Sequence, residues 1–111
     1  MTFDEYQKQS LKTVVQNRHD KLMSKTILAL GIAGEAGEVA DKWKKILAYQ
    51  DGDVFDDDRA ELAKEMGDVL WYLAVLAEEL GLKLDDIAES NLTKLASRQA
   101  RGVIKGRGDN R

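Results

Sequence analysis

Two pairs of acidic residues with the same spacing are the part of this sequence best suited to chemistry. Glu35 and Glu38 are three residues apart, and so are Glu65 and Asp68. Residues at i and i+3 of a helix share one face, so each pair would present two carboxylates side by side. Glu35 and Glu65 also fall on lines of apolar residues that a helix would bury. A carboxylate that close to a core is costly unless it is paired or bound to a cation.

Four converging carboxylates would repel one another, and a hard divalent cation relieves that repulsion. Mg²⁺ prefers oxygen ligands and usually keeps water and substrate phosphate around it, and Mn²⁺ is the natural substitute. The sequence therefore predicts a magnesium site formed by Glu35, Glu38, Glu65 and Asp68. Gly34, Gly37 and Gly67 flank the acids and are expected to admit close helix approach or a bulky ligand. A di-iron site is disfavoured, because it needs Glu-x-x-His on two helices and His19 is the only histidine.

Length and composition bound the class of protein. The chain has 111 residues, the size of one domain, and its 43% hydrophobic and 33% charged residues are a globular balance. The net charge of −3 disfavours nucleic-acid binding, which usually shows a basic excess. The absence of cysteine excludes disulfides, thiolate metal sites and a cysteine nucleophile. With no signal peptide and no apolar run of membrane-spanning length, we expect a soluble, cytoplasmic single domain over residues 1–111.

Apolar residues that recur at three- and four-residue spacing, in a chain without proline, predict helices and no strand. The predicted helices run from Thr2 to about Asn17, Ser24 to about Tyr49, Asp58 to about Leu80 and Asp86 to about Arg101. Thr2–Glu5 and Asp58–Glu61 have capping-box spacing, and Gly81 falls where a helix end favours a positive φ. The fold class is therefore all-α and four-helix-bundle-like. Oligomerisation would add burial that a chain this short lacks.

The end of the chain, from Arg101 to Arg111, is basic and glycine-rich. Such a composition does not favour a helix. Residues from about 102 to 111 are therefore expected to form an arm that is flexible or becomes ordered by a ligand.

The acids and their surroundings resemble the MazG-like, all-α nucleoside triphosphate pyrophosphohydrolase superfamily. The segments that carry the resemblance are Gly31–Glu38, Glu65–Tyr72, Asn91–Arg98, Arg101–Gly106 and Gly108–Arg111. The Glu35-x-x-Glu38 and Glu65-x-x-Asp68 motifs have the family order, and the third segment is similar to its Asn-x-x-Lys stretch with a following Arg. The resemblance covers nearly the whole chain, is weakest over residues 1–23 and is to the short single-domain members.

The resemblance implies Mg²⁺-dependent hydrolysis of a nucleoside triphosphate between the α- and β-phosphates, which gives a monophosphate and pyrophosphate. It also implies a homodimer or a homotetramer, with active sites shared between subunits. Glu35 or Glu38 would be the general base, and the sequence leaves this choice open. Asn91, Lys94 and Arg98 share a face of the fourth helix and would bind phosphates or the sugar.

Two aromatic residues and two lysines near the acids each allow either a ligand-binding role or a structural role. Trp71 and Tyr72 follow Asp68 by one turn and would either stack on the base or pack in the core. Lys42 and Lys45 would either contact phosphate or complement the helix dipole near the end of the second helix.

Two alternative functions stay open at this stage. One is a dUTP- or dCTP-specific pyrophosphatase of the same superfamily, which base contacts would decide. The other is a non-catalytic, metal-binding helical dimerisation module that keeps its acids without turnover. All of these take a nucleotide, a cation or a second copy as partner, and none takes nucleic acid or a membrane.

Overall fold

The computed structural model describes residues 1–15 and 18–111 and confirms the all-α fold class. Its elements are α1 (Phe3–Ser10), a 3₁₀ helix (Leu11–Thr13), α2 (Lys21–Gln50), α3 (Asp56–Glu79) and α4 (Leu84–Ala100). The described ranges contain no strand. Among the helices in these ranges, none has both the length and the apolar character needed to cross a bilayer.

Helices α2 and α3 form a long antiparallel hairpin that carries the predicted acids. Gly31 of α2 lies against Tyr72 of α3. Further along α2, Lys42 pairs with Glu61 and Glu65, which come earlier in α3. Contacts that advance along one helix and recede along the other mean that the two helices run in opposite directions.

Helix α1 ends much earlier than the sequence predicted. The predicted end, near Asn17, lies outside the described residues, and the α-helix stops at Ser10. The Ser10 carbonyl accepts hydrogen bonds from Thr13 Oγ1 at 3.0 Å and from Trp71 Nε1 at 3.2 Å. Val14 N–H instead donates within the 3₁₀ helix. Side-chain donors have therefore taken the carbonyl that a continuing α-helix would use.

The start of α2 also differs from the prediction. The helix begins at Lys21, so residues 21–23 are helical and not part of a connector. Asp20 is the N-cap, and its Oδ1 accepts the Met23 N–H at 3.0 Å. Such a cap satisfies a backbone donor that would otherwise have no helical partner.

The starts of α3 and α4 correct two further predictions. Helix α3 begins at Asp56, and the predicted capping box that began at Asp58 is wrong. The Asp58 carboxylate accepts the Phe55 N–H at 2.9 Å, so Asp58 already lies inside the helix. Helix α4 begins at Leu84 and not at Asp86. The predicted positive φ of Gly81 is confirmed at +69°.

Gln7 of α1 holds the turn between α3 and α4. It is 4% exposed; its Nε2 donates to the Leu82 carbonyl at 2.9 Å, and its Oε1 accepts the Leu84 N–H at 2.8 Å. The fully or nearly buried apolar residues are few and lie mostly in α2 and α3: Leu28, Ile46, Ala74, Val75, Ala77 and Leu84. The core therefore runs along the hairpin and is closed by α1.

Much apolar surface stays uncovered, and part of it lies on α4. Leu92 is 68% exposed and Leu95 is 39% exposed, although their three-residue spacing on a helix is typical of a buried apolar face. The radius of gyration is 16.9 Å. A compact chain of this length would have a radius of roughly 13 Å. The single chain is therefore extended, and α4 buries little of its apolar side.

Candidate metal centre

Three carboxylates of the hairpin come together at one place. Glu35 of α2 and Glu65 and Asp68 of α3 each place an oxygen within 4.8 Å of the other two. Glu35 and Glu65 are half-buried, whereas Asp68 is exposed. The cluster thus lies at the edge of the contact between the two helices and opens to solvent. Three of the four predicted acids are close enough to share one cation.

The close approach of α2 and α3 depends on Gly31 and not on the glycines beside the acids. A Cβ at Gly31 would lie 2.2 Å from a ring carbon of Tyr72, so only glycine admits the ring there. A Cβ at Gly34, Gly37 or Gly67 would meet nothing within 4 Å. Close helix approach at these three glycines is therefore wrong within this chain. They leave open surface beside the acids, and room for a ligand there stays a prediction.

The pKa of Glu35 shows that the acids repel one another. Partial burial of its carboxyl raises the pKa above its ordinary value, and the charges of Asp68, Glu65 and Glu38 raise it further. Each of these causes disfavours the ionised form. A bound divalent cation would favour the ionised carboxylates and outweigh these causes, so the donor set fits a metal ion that prefers oxygen ligands.

Lysine already supplies part of the charge that the acids need. Lys42 Nζ lies 3.7 Å from Glu65 Oε1 and 3.6 Å from Glu61 Oε2. Lys45, by contrast, pairs with an acid outside the cluster: its Nζ lies 2.9 Å from Oδ2 of Asp41, one turn earlier on α2. The contact of Glu61 with Lys42 was not predicted from the sequence, in which the spacing of Glu61 from Asp58 indicated a cap. The available signal was its i, i+4 spacing from Glu65, which puts both acids on one face.

Glu38 lies outside the group of three carboxylates. It is exposed on α2, one turn after Glu35. Of the three carboxylate charges that raise the pKa of Glu35, that of Glu38 has the smallest effect. It therefore borders the cluster without being part of it.

The predicted phosphate-binding residues form a second cluster on α4. Asn91 and Lys94 line a groove of about 560 Å³ that starts at the Gly81 turn. Lys94 Nζ and Arg98 Nη2 lie 3.3 Å and 3.2 Å from Asp109 Oδ1. Gly81 is roughly 20 Å beyond Asp68 along the chain at the rise of a helix. Across residues 1–15 and 18–111, no hydrogen bond or ion pair joins this cluster to the acids.

Both aromatic candidates are engaged in packing within the chain. Trp71 Nε1 donates to Thr13 Oγ1 at 2.8 Å and to the Ser10 carbonyl, so it ties α3 to α1. Tyr72 packs over Gly31, and its ring meets that of Trp71 edge-on with centroids 5.0 Å apart. These contacts match the core interpretation of the two residues.

Comparisons with known proteins support the family resemblance of the sequence. A family model, the MazG nucleotide pyrophosphohydrolase domain, matches residues 23–103. The gene 37 protein of Mycobacterium phage L5 is 47% identical over 92 residues, which cover 83% of this chain and 81% of that protein. The uncharacterized protein YvdC of Bacillus subtilis (strain 168) is 38% identical over 72 residues, 58% of this chain and 65% of that protein. No solved structure matches significantly. The resemblance is thereby confirmed, and the chain belongs to the MazG nucleotide pyrophosphohydrolase family.

Proposed function

We propose that this chain hydrolyses nucleoside triphosphates between the α- and β-phosphates, with Mg²⁺, to a nucleoside monophosphate and pyrophosphate. The observation that carries the proposal is the group of carboxylate oxygens of Glu35, Glu65 and Asp68, all within 4.8 Å of one another. Family membership supports the class of reaction. Oxygen ligands beside open solvent are what metal-assisted hydrolysis of a polyphosphate requires. We take residues 1–111 as one such domain.

Glu35, Glu65 and Asp68 are the residues we expect to hold Mg²⁺, for which Mn²⁺ can substitute. The fit rests on the three carboxylate oxygens within 4.8 Å of one another, together with Glu35, whose pKa is raised by partial burial and then by its acidic neighbours. When bound, the ion supplies neutralisation of phosphate charge and activation of the attacking water.

Glu38 is the residue we expect to take the proton from the attacking water. It is exposed one turn after Glu35, on the same side of α2, and lies outside the group of three carboxylates. A carboxylate that is bound to a cation is poorly available to accept a proton, so Glu38 suits the general base better than Glu35 does. The part of Glu35 is then to hold the ion.

Lys94 and Arg98 are expected to bind the β- and γ-phosphates and to stabilise the leaving pyrophosphate, with Asn91 orienting a phosphate or the sugar. Because these residues are in a separate cluster, we infer that they reach the substrate from a second copy of the chain. The exposed Leu92 and Leu95 and the radius of gyration of 16.9 Å support a homodimer, or a homotetramer built from it.

The test is a pyrophosphate-release assay over the canonical ribo- and deoxyribonucleoside triphosphates and dUTP, with Mg²⁺ and with EDTA. We expect pyrophosphate and monophosphate in equal amounts, and no product in EDTA. Turnover confined to dUTP or dCTP would favour the specific pyrophosphatase. Release of orthophosphate would contradict cleavage between the α- and β-phosphates. No turnover, with retained stabilisation by Mg²⁺, would favour the non-catalytic module.

A further inference from the structure

The last ten residues, 102–111, form a C-terminal arm that folds back on the end of α4. Arg111 fastens it: its guanidinium donates to the carbonyls of Val103 at 3.0 Å, Ile104 at 3.0 Å and Gly108. Arg101 Nη2 in turn donates to the Arg111 carbonyl at 2.8 Å. The Arg111 side chain therefore holds the arm in its folded position through hydrogen bonds to main-chain carbonyls.

This folding places a carboxylate on the two cations of α4. Asp109 Oδ1 lies 3.3 Å from Lys94 Nζ and 3.2 Å from Arg98 Nη2, and its carbonyl accepts from the same Nη2 at 2.6 Å. The Arg98 hydrogen bond, and then that of Lys94, lowers the pKa of Asp109 below its ordinary value. The Arg98 side chain is 4% exposed, whereas that of Asp109 is 82% exposed. A buried cation therefore has a solvent-exposed anion as its partner.

The Asp109 carboxylate does not use all the donors of Arg98. Arg98 Nε is buried and, within the described parts of the chain, has no hydrogen-bond partner. A buried donor without an acceptor is costly. Nε and Nη2 form one edge of the guanidinium, which binds two oxygens of a phosphate at once. A phosphate group in place of Asp109 would satisfy both donors, together with Lys94.

We propose that Asp109 occupies the phosphate-binding cations as an internal competitor, so that a polyphosphate binds only when the C-terminal arm opens. The inference rests on the proposed function of Lys94 and Arg98. Gly102 begins the arm and Gly108 directly precedes Asp109; both have a positive φ, +69° and +79°, and glycine changes its backbone conformation at little steric cost. Because the Asp109 side chain is 82% exposed, water competes for both of its pairs, and a ligand with several negative charges can displace it.

The direct test is the affinity of the full-length protein for tripolyphosphate, measured by calorimetry in EDTA so that the carboxylate cluster takes no metal. Asp109→Asn removes the competing charge, and we expect tripolyphosphate to bind about fivefold more tightly, the scale of an ion pair whose carboxylate is open to solvent. Lys94→Gln should weaken binding. Unchanged or weaker binding by Asp109→Asn would overturn the proposal, and so would wild-type affinity in Lys94→Gln.

A second variant separates release of the arm from a change of net charge. Arg111→Ala loosens the arm but removes a positive charge, so charge alone predicts weaker tripolyphosphate binding. Release of Asp109 predicts tighter binding instead. Arg107→Ala, an exposed arginine in the same arm, is the matched control and should bind no more tightly than wild type. If Arg111→Ala and Arg107→Ala weaken tripolyphosphate binding equally, the release of Asp109 by opening of the arm is contradicted.

A third measurement needs no variant. Tripolyphosphate should speed hydrogen exchange in residues 103–110 of the wild-type protein, and slower exchange there would contradict opening of the arm.

The binding and exchange results do not depend on whether the protein hydrolyses nucleotides. Tighter binding in both variants without hydrolysis of any nucleotide would keep the arm as competitor and reject the enzyme. Hydrolysis of nucleotides, with unchanged affinity of both variants for tripolyphosphate, would support the enzyme and reject the arm as a competitor.

Discussion

Gly31 and Gly34 lie three residues apart on α2 but have different surroundings. A Cβ at Gly31 would clash with the Tyr72 ring, whereas one at Gly34 would meet nothing within 4 Å. We expect Gly31→Ala to lower the free energy of unfolding by about 1–3 kcal/mol through overpacking. Gly34→Ala should raise it by roughly 0.5–1 kcal/mol, because alanine loses less entropy in a helix. Chemical denaturation would measure both, and equal effects would contradict the close approach at Gly31.

The proposed division of labour between Glu35 and Glu38 predicts two different losses. Glu38→Gln should lower kcat at least about 100-fold, the contribution of a general base, while Mg²⁺ still raises the melting temperature. Glu35→Gln should lose both turnover and the stabilisation by Mg²⁺. The checks are steady-state rates and thermal melts with and without Mg²⁺. A Glu38→Gln variant with full activity would reject it as the base.

At this scale the sequence predicted the three clustered carboxylates, including the approach of Glu35 to the acids of α3, and missed other contacts between elements. The i, i+3 spacing was enough to pair Glu65 with Asp68, and the stripe position of Glu35 was enough to point it at α3. The contact between Gly31 and Tyr72 depends on the depth of helix packing. The contact of Asp109 with Arg98 depends on turns in a segment without periodicity. Neither is encoded in a local spacing.

Glu79 ties the end of α3 to the start of α2. Its side chain is fully buried and accepts from Arg18 Nε at 2.6 Å and from Lys21 Nζ at 3.3 Å. Glu79→Gln removes the charge and keeps the shape. Because Arg18 is partly exposed and can be solvated, we expect a loss of about 1–2 kcal/mol of unfolding free energy at pH 7, measured by denaturation.

The same residue predicts a pH dependence of stability. The hydrogen bond from Arg18 lowers the pKa of Glu79 below its ordinary 4.5, against burial and with further help from Lys21. A carboxyl with a lowered pKa stabilises the fold fully above its ordinary pKa, and this contribution is lost as the pH falls through the lowered value. Wild type and Glu79→Gln should therefore converge in unfolding free energy below pH 4.5. A constant difference down to acidic pH would exclude Glu79 as its source.

Helix type was predictable, whereas the end of α1 and the starts of α2, α3 and α4 were not. Periodicity over twenty or more residues identifies α2 and α3, and the Thr2–Glu5 capping box is confirmed at 3.1 Å and 2.9 Å. The end of α1, by contrast, is decided by Trp71, which lies 61 residues further along the chain from Ser10. Partners so remote cannot be seen in a window of sequence.

As a whole, the single chain leaves an apolar face beside the acids. Ala36 and Val39 of α2 and Met66, Val69, Leu70 and Leu73 of α3 line it. We expect wild-type protein to sediment as a dimer or tetramer. Leu73→Glu, which places a charge on a residue that is already 41% exposed, should yield single chains that still fold. Sedimentation velocity with circular dichroism checks both points, and a monomeric wild type would contradict a shared site.

The sequence predicted the all-α class of the whole molecule but not the placement of α4. The apolar spacing of Leu92 and Leu95 indicated a buried face, and in the single chain both are exposed. A periodic apolar stripe shows that one face of a helix is suited to burial. It does not show whether that face packs against the same chain or against another copy.

The hairpin of α2 and α3 also has a consequence for the order of folding. All three clustered carboxylates come from two helices joined by the short connection 51–55. Closing a short loop costs little chain entropy, and contacts between adjacent helices form quickly. We therefore expect the ion site to assemble early, before α1 and α4 dock. The acids would then tolerate fraying at both ends of the chain, and the ends could diverge between relatives while the site persists.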